Sequence, residues 1–179
     1  MKQAEYLYSA AKVQKSMKEL LQQYAAYHVW ANQKLFDRIQ LLGAEAIQQE
    51  IVSSFPSIYK TVLHMWFAEE AWWQRLKLTE HPDMAATHFT GDFAEMVKLL
   101  NRQSLIWKEW VTNASLMQLE HVFAYRNTKK EEFKQPVFEM LLHLYNHGTY
   151  HRGQLVTMLR QLGADKIPAT DFIGFARKS

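Results

Sequence analysis

His147 and His151 stand four residues apart in the run Asn146-His-Gly-Thr-Tyr-His-Arg-Gly-Gln154. In a helix, that spacing puts two imidazoles about one turn apart on one face, where they can grip a single metal ion. His143 extends the series to three histidines at four-residue intervals. A helix rises about 1.5 Å per residue, so His143 and His151 are about 12 Å apart along the axis, whereas metal–nitrogen bonds are about 2.0–2.1 Å. One ion therefore takes one neighbouring pair. His151 falls on an apolar stripe with Val137, Leu141, Leu144, Leu155, Met158 and Leu162, and His147 flanks it. Gly148 and Gly153 clear space beside the pair, and each costs a helix about 1 kcal/mol against Ala, so both call for an explanation. These features favour His147 with His151 and leave His143 at the edge of the site or on the surface. A third candidate, His64, lies in the apolar run Leu63-His-Met-Trp-Phe67. A buried imidazole there needs a partner, either a metal ion or a hydrogen-bonding neighbour.

Other chemistry-bearing residues form weaker patterns. His28, His81, His88 and His121 stand near expected helix ends, in loops or on faces without a paired ligand, and no role is assigned to them. Glu69-Glu70 and Glu131-Glu132 do not fall in the Glu-x-x-His spacing of di-metal bundles, and Glu139 with His143 is an isolated pair. The chain has no Gly-x-Ser-x-Gly elbow, no phosphate loop and no His-Glu-x-x-His. It has no cysteine, which excludes disulfides, thiolate ligands and a cysteine nucleophile.

The elements that must position the histidines read as four long helices. Apolar residues at Leu20, Leu21, Tyr24, Tyr27, Ala31, Leu35 and Ile39 recur at helical spacing and predict a first helix over about Gln14–Leu42, stopped by Gly43. The residues before Gln14 can extend it or fray. A second begins near Pro56, carries Ile58, Val62, Met65, Trp72, Trp73 and Leu76, and ends before His81-Pro82. The tryptophans from 66 to 73 read as bundle core with a part free to line a pocket beside His64. A third follows Gly91, with Asp92 as N-cap, and ends near Asn113. Residues 121–126 and 131–135 around a polar turn predict a small β-hairpin. Pro136 opens the fourth helix, Gly163 stops it, and the tail reads as irregular. The expected fold is all-α, a four-helix bundle with a hairpin between its third and fourth helices, forming one domain over residues 1–179. Bundles of this kind build metal sites from facing helices.

Composition narrows the function classes. Six Trp, eight Tyr and ten Phe against ten Gly and Pro together suit long packed helices. The net charge of +3 is spread along the chain without a basic block, so nucleic-acid binding is not expected. The polar, lysine-bearing N-terminus lacks the apolar core of a secretory signal, and no run of eighteen apolar residues is present. A cytoplasmic protein without a membrane span is the expectation.

Several stretches together resemble the DinB/YfiT-like family of four-helix bundles. Tyr27-His-Val-Trp-Ala-Asn32 resembles the family's first-helix element. Thr61-Val-Leu-His-Met-Trp-Phe-Ala-Glu69 resembles its second-helix histidine motif, and Asn146–Gln154 its fourth-helix motif. Tyr125-Arg-Asn127 and Pro168-Ala-Thr-Asp171 resemble weaker features. The resemblance implies that His64, His147 and His151 are metal ligands, in an antiparallel-type bundle with an unusual crossover connection, frequently as a homodimer. Three neutral histidines leave a divalent ion (Zn, Ni or Fe) its charge and an open position, which suits activation of water or of a small-molecule thiol. The expected function is a thiol S-transferase-like or hydrolytic metalloenzyme acting on a small molecule. The competing expectation is a non-enzymatic metal-binding bundle in stress response or sensing. Arg152 is expected to anchor the fourth helix or a partner charge, and Gln154 to hydrogen-bond a neighbouring group.

Overall fold

The computed structural model describes residues 16–127 and 129–177. The first long helix, α1 (Met17–Ile39), starts where Ser16 caps it. The Ser16 hydroxyl accepts from Glu19 N–H, and the Glu19 carboxylate reaches back to Ser16 N–H. This capping box satisfies two otherwise orphaned donors and fixes the helix start at Met17. The expectation for Gln14 and the residues before it lies outside the described residues. Gly43 is not a left-handed stop; at φ −66 it is the N-cap of a short helix, α2 (Ala44–Gln48). Helix α3 (Ile58–Leu76) is capped by Ser57, whose hydroxyl accepts from Lys60 N–H, so Pro56 precedes the helix rather than opening its first turn.

A short α4 (Ala85–His88) leads into α5 (Phe93–Asn113), which Asp92 caps as expected by accepting from Glu95 N–H at 2.8 Å. Another short helix, α6 (Leu116–Glu120), precedes the hairpin of β1 (Val122–Arg126) and β2 (Glu132–Pro136), antiparallel with Tyr125 opposite Phe133. Helix α7 (Val137–Gln161) follows directly, and Gly163 at φ +74 closes its C-terminus in the left-handed region that glycine tolerates. The tail is not wholly irregular, since α8 (Phe172–Ala176) packs against α1.

The long helices build two apolar layers. Leu35, Phe36, Ile58, Met65, Leu100 and Leu155 belong to one; Leu21, Trp107, Val111, Met140, Leu144 and Tyr145 belong to the other. Helices α1 and α7 enter from the second layer and leave through the first, while α3 and α5 run the opposite way. Helix α1 packs on α5 and α7, and so does α3. The neighbours α3 and α5 are therefore parallel, and residues 77–92 must return along the bundle to join them. This is the crossover the family resemblance implies. Among the described residues no helix is long and apolar enough to cross a membrane.

Candidate metal centre

Each long helix interrupts its apolar stripe at the level between the two layers. Helix α1 contributes His28 and Asn32, α3 Glu69, α5 Ser104 and α7 Arg152, all buried. The Glu69 carboxylate is 2.9 Å from His28 Nε2 and accepts from Ser104 Oγ at 2.9 Å. Arg152 Nη1 donates to Asn32 Oδ1 at 2.8 Å and lies 3.3 Å from His28 Nδ1, and its Nη2 donates to Thr149 Oγ1 at 2.8 Å. Glu69 at Nε2 and Arg152 at Nδ1 favour the His28 tautomer with its proton on Nε2, a nitrogen that Asn32 Nδ2 also approaches at 3.1 Å. Arg152 Nε and the Tyr145 hydroxyl are left without partners at the margin. Gly148 belongs to this layer: a Cβ there would lie 2.5 Å from His28 Cε1, so glycine lets the ring close onto α7. Gly153 has open space where a Cβ would go, and nothing in the structure explains it.

The α3 side of α7 carries the other cluster, and the three predicted ligands meet there. His147 Nε2 is 3.0 Å from His151 Nε2 and 3.1 Å from His64 Nε2. A tetrahedral ion with bonds of 2.0–2.1 Å needs ligand nitrogens about 3.3 Å apart, so these two edges need only slight opening, and the three donor atoms all lie within 4.8 Å of one another. The three residues form a group that could hold a metal ion. His151 Nδ1 faces Gln154 Oε1 at 2.7 Å, which places the proton on Nδ1 and turns the Nε2 lone pair to the centre. Phe55 stacks on His64 with ring centroids 4.0 Å apart and shields it on one side.

The electrostatics agree with this geometry. Burial, with His151 nearby, lowers the His64 pKa to about 4. Burial and the neighbouring histidines lower that of His147 to about 3. Burial also lowers His151, against the opposing hydrogen bond from Gln154. All three are neutral at pH 7, which is the ligating form. His143 stays outside the triangle, its ring 5.9 Å from His147 and edge-on to Trp72 at 5.3 Å.

Gln154 and Arg152 do what their positions suggest, one bonding His151 and the other anchoring α7 to α1. Two residues set aside on sequence grounds prove central to the bundle instead. His28 is not a helix-face residue without a role, and Glu69, set aside for lacking the Glu-x-x-His spacing, is buried and paired with it. The signal for both was spacing: His28 and Asn32 continue the Leu21, Ala25, Leu35 stripe, and Glu69 follows Val62 and Met65. Leu20, counted in the first helix's stripe, is half exposed.

The DinB family model matches residues 14–178. Protein DinB of Bacillus subtilis (strain 168) is 34% identical over 155 residues, covering 82% of this chain and 87% of that protein. The crystal structure of a DinB-like protein from Bacillus cereus superimposes with a TM-score of 0.63 at 19% identity, over 80% of this chain and 91% of that one, a likeness of fold.

Proposed function

The chain belongs to the DinB family, and on that premise we propose that it is a divalent-metal-dependent enzyme acting on a small molecule. His64, His147 and His151 are its ligands. The observation that carries this reading is the convergence of three neutral Nε2 atoms with no carboxylate among them. One Nε2–H tautomer can bridge only one of the two contacts made by His147 Nε2, whereas a single cation at the centre meets all three lone pairs, and the low pKa values of His64 and His147 keep the rings from carrying a second proton. When bound, a Zn, Ni or Fe ion held by three neutral ligands supplies Lewis acidity at its open position, towards water or a small-molecule thiol. The chain's own part is to fix His151 through Gln154, to cover His64 with Phe55 and to keep the imidazoles unprotonated. The apolar layers and the Glu69 layer pack without reference to the three histidines, which weighs against an ion whose role is to hold the fold. A homodimer acting in the cytoplasm, without nucleic-acid partners, completes the proposal; sedimentation at micromolar concentration tests the dimer.

The deciding experiment is elemental analysis of protein purified without chelator or affinity tag. We expect about one equivalent of a transition metal, lost in His151→Ala. Less than about a tenth of an equivalent, unchanged by that substitution, would sink the metal assignment. Metal-loaded protein that turns over no thiol-transfer or hydrolytic substrate, yet melts far lower after chelation, would favour the structural role.

A further inference from the structure

The face of α3 that carries His64 continues to a second group that could bind a ligand. Arg75 is eleven residues on, about three turns, and so returns to within about 20° of His64. Between them the stripe holds Ala68 and Ala71, with Trp72 at its border. Helical side chains lean towards the N-terminus, which tips Arg75 back towards the histidines. Its guanidinium lies 4.6 Å from the Trp72 ring centre and 5.9 Å from that of Tyr125. Trp72 touches His143, and His143 touches His147, so ring contacts run unbroken from a ligand histidine to the arginine.

Arg75 is tied down without being neutralised. Its Nε donates to Arg126 O at 3.2 Å, which fastens the hairpin to α3. Among the described residues no carboxylate pairs with it, and no protein acceptor meets Nη1 or Nη2. A half-buried cation without an anion is unfavourable, and burial lowers its pKa accordingly. The unused Nη groups form the fork that matches a carboxylate with two parallel hydrogen bonds. The hairpin tie and the stacking explain why the side chain is ordered. They do not explain why its charged end is left open.

We infer that Arg75, framed by Trp72 and Tyr125, is an anion subsite of the ligand whose other end meets the three histidines, so that the small molecule bears a carboxylate. Eleven residues span about 16 Å. That rise sets a scale of up to about 16 Å between the carboxylate and the atom presented to the histidines, within reach of an extended tripeptide-sized molecule. The location of that other end rests on the metal-dependent reading above; the anion subsite does not.

Two measurements separate these claims. Succinate titrated into 15N-labelled, metal-free protein should shift the Arg75 Nε–H and Trp72 indole signals saturably at millimolar concentration. Arg75→Gln should abolish the response, with helical content and melting retained, and Arg75→Lys should weaken it. In cobalt-loaded protein, glutathione should bind at least tenfold more tightly than its diethyl ester. Arg75→Gln should reduce that preference below twofold with ester binding unchanged. Succinate shifts that are absent, or that persist in Arg75→Gln, would overturn the proposal, as would equal affinity for acid and ester. If the protein takes no metal but succinate still saturates Arg75, the metal reading fails and the anion subsite stands.

Discussion

Helix α7 presents two polar clusters about 100° apart, and they are satisfied in opposite ways. On the α1 side, donors and acceptors alternate: His28 and Ser104 meet the Glu69 carboxylate, while Arg152 meets Asn32 and Thr149. On the α3 side, three like atoms face one another, the Nε2 nitrogens of His64, His147 and His151. The first arrangement finds most of its partners within the protein, with Arg152 Nε and the Tyr145 hydroxyl as the exceptions. The second could hold a metal ion, and on the proposed reading a cation completes it. Burial alone does not separate structure from site here, since His28 and His151 are both almost fully buried. What separates them is whether each group's partner is already in the protein.

The contrast is broken most severely by Glu69→Ala. It would leave buried His28 and Ser104 without their acceptor and remove an anion that acts on the buried Arg152. Removing one member of a buried charged set costs about 3–5 kcal/mol. Urea denaturation of the metal-free protein should show a loss of that size. A loss below about 1 kcal/mol would mean that this layer is no more structural than the histidine triangle.

His147→Ala attacks the other side. Metal affinity should fall at least about 100-fold, because two ligands on different helices remain. Metal-free stability at pH 7 should hold or rise, since an imidazole that burial and its histidine neighbours hold at a pKa of about 3 is gone. The pH profile supplies the sign. Folded His64 and His147 take up protons only near pH 4 and 3, whereas unfolded histidines do so near 6.5. The unfolded chain therefore binds more protons between these limits, and metal-free stability declines as pH falls from about 6.5 to about 4. His147→Ala should flatten that decline. Denaturant midpoints every half pH unit would reveal an unchanged slope, which would count against both imidazoles being held neutral.

Gly148→Ala tests the boundary between the clusters. The added Cβ would press on His28 and push it off Glu69, without touching the triangle. The expected cost is about 1–3 kcal/mol, as for other overpacked core positions, with metal content unchanged. Combining it with His28→Ala should recover part of the loss, because the two changes act on one contact.

How much of this was legible follows from the range of each interaction. The His147–His151 pair, the Asp92 cap with α5, and the hairpin are local patterns, and each stands where spacing puts it. The short helices α2, α4, α6 and α8 are four or five residues long, too brief for a period to emerge, although Ser115 and Gln118 form a capping box at α6. The Glu69–His28 pair is separated by 41 residues and joins diagonal helices, so no local rule reveals it. Polar residues on an apolar stripe were the available sign, and the partner on the facing helix decides what such a residue means.

The smallest expected effect makes the finest division between the clusters. Gln154 is on the triangle's side, yet it is satisfied as the structural layer is: Oε1 accepts from His151, and Nε2 donates to Ser54 Oγ and the Tyr150 hydroxyl. It lies near the surface, so Gln154→Ala should change stability by no more than about 0.5 kcal/mol. Losing the acceptor frees the His151 ring to rotate and to change tautomer, which should weaken metal binding about tenfold, or about 1.4 kcal/mol. Gln154→Glu should move affinity the other way, because a carboxylate on Nδ1–H makes Nε2 a stronger donor to the ion. Competition against a chromophoric chelator at fixed pH measures both variants. Opposite shifts in affinity at constant stability would show that Gln154 orients a ligand, whereas equal losses in both would reduce it to a packing contact on α7.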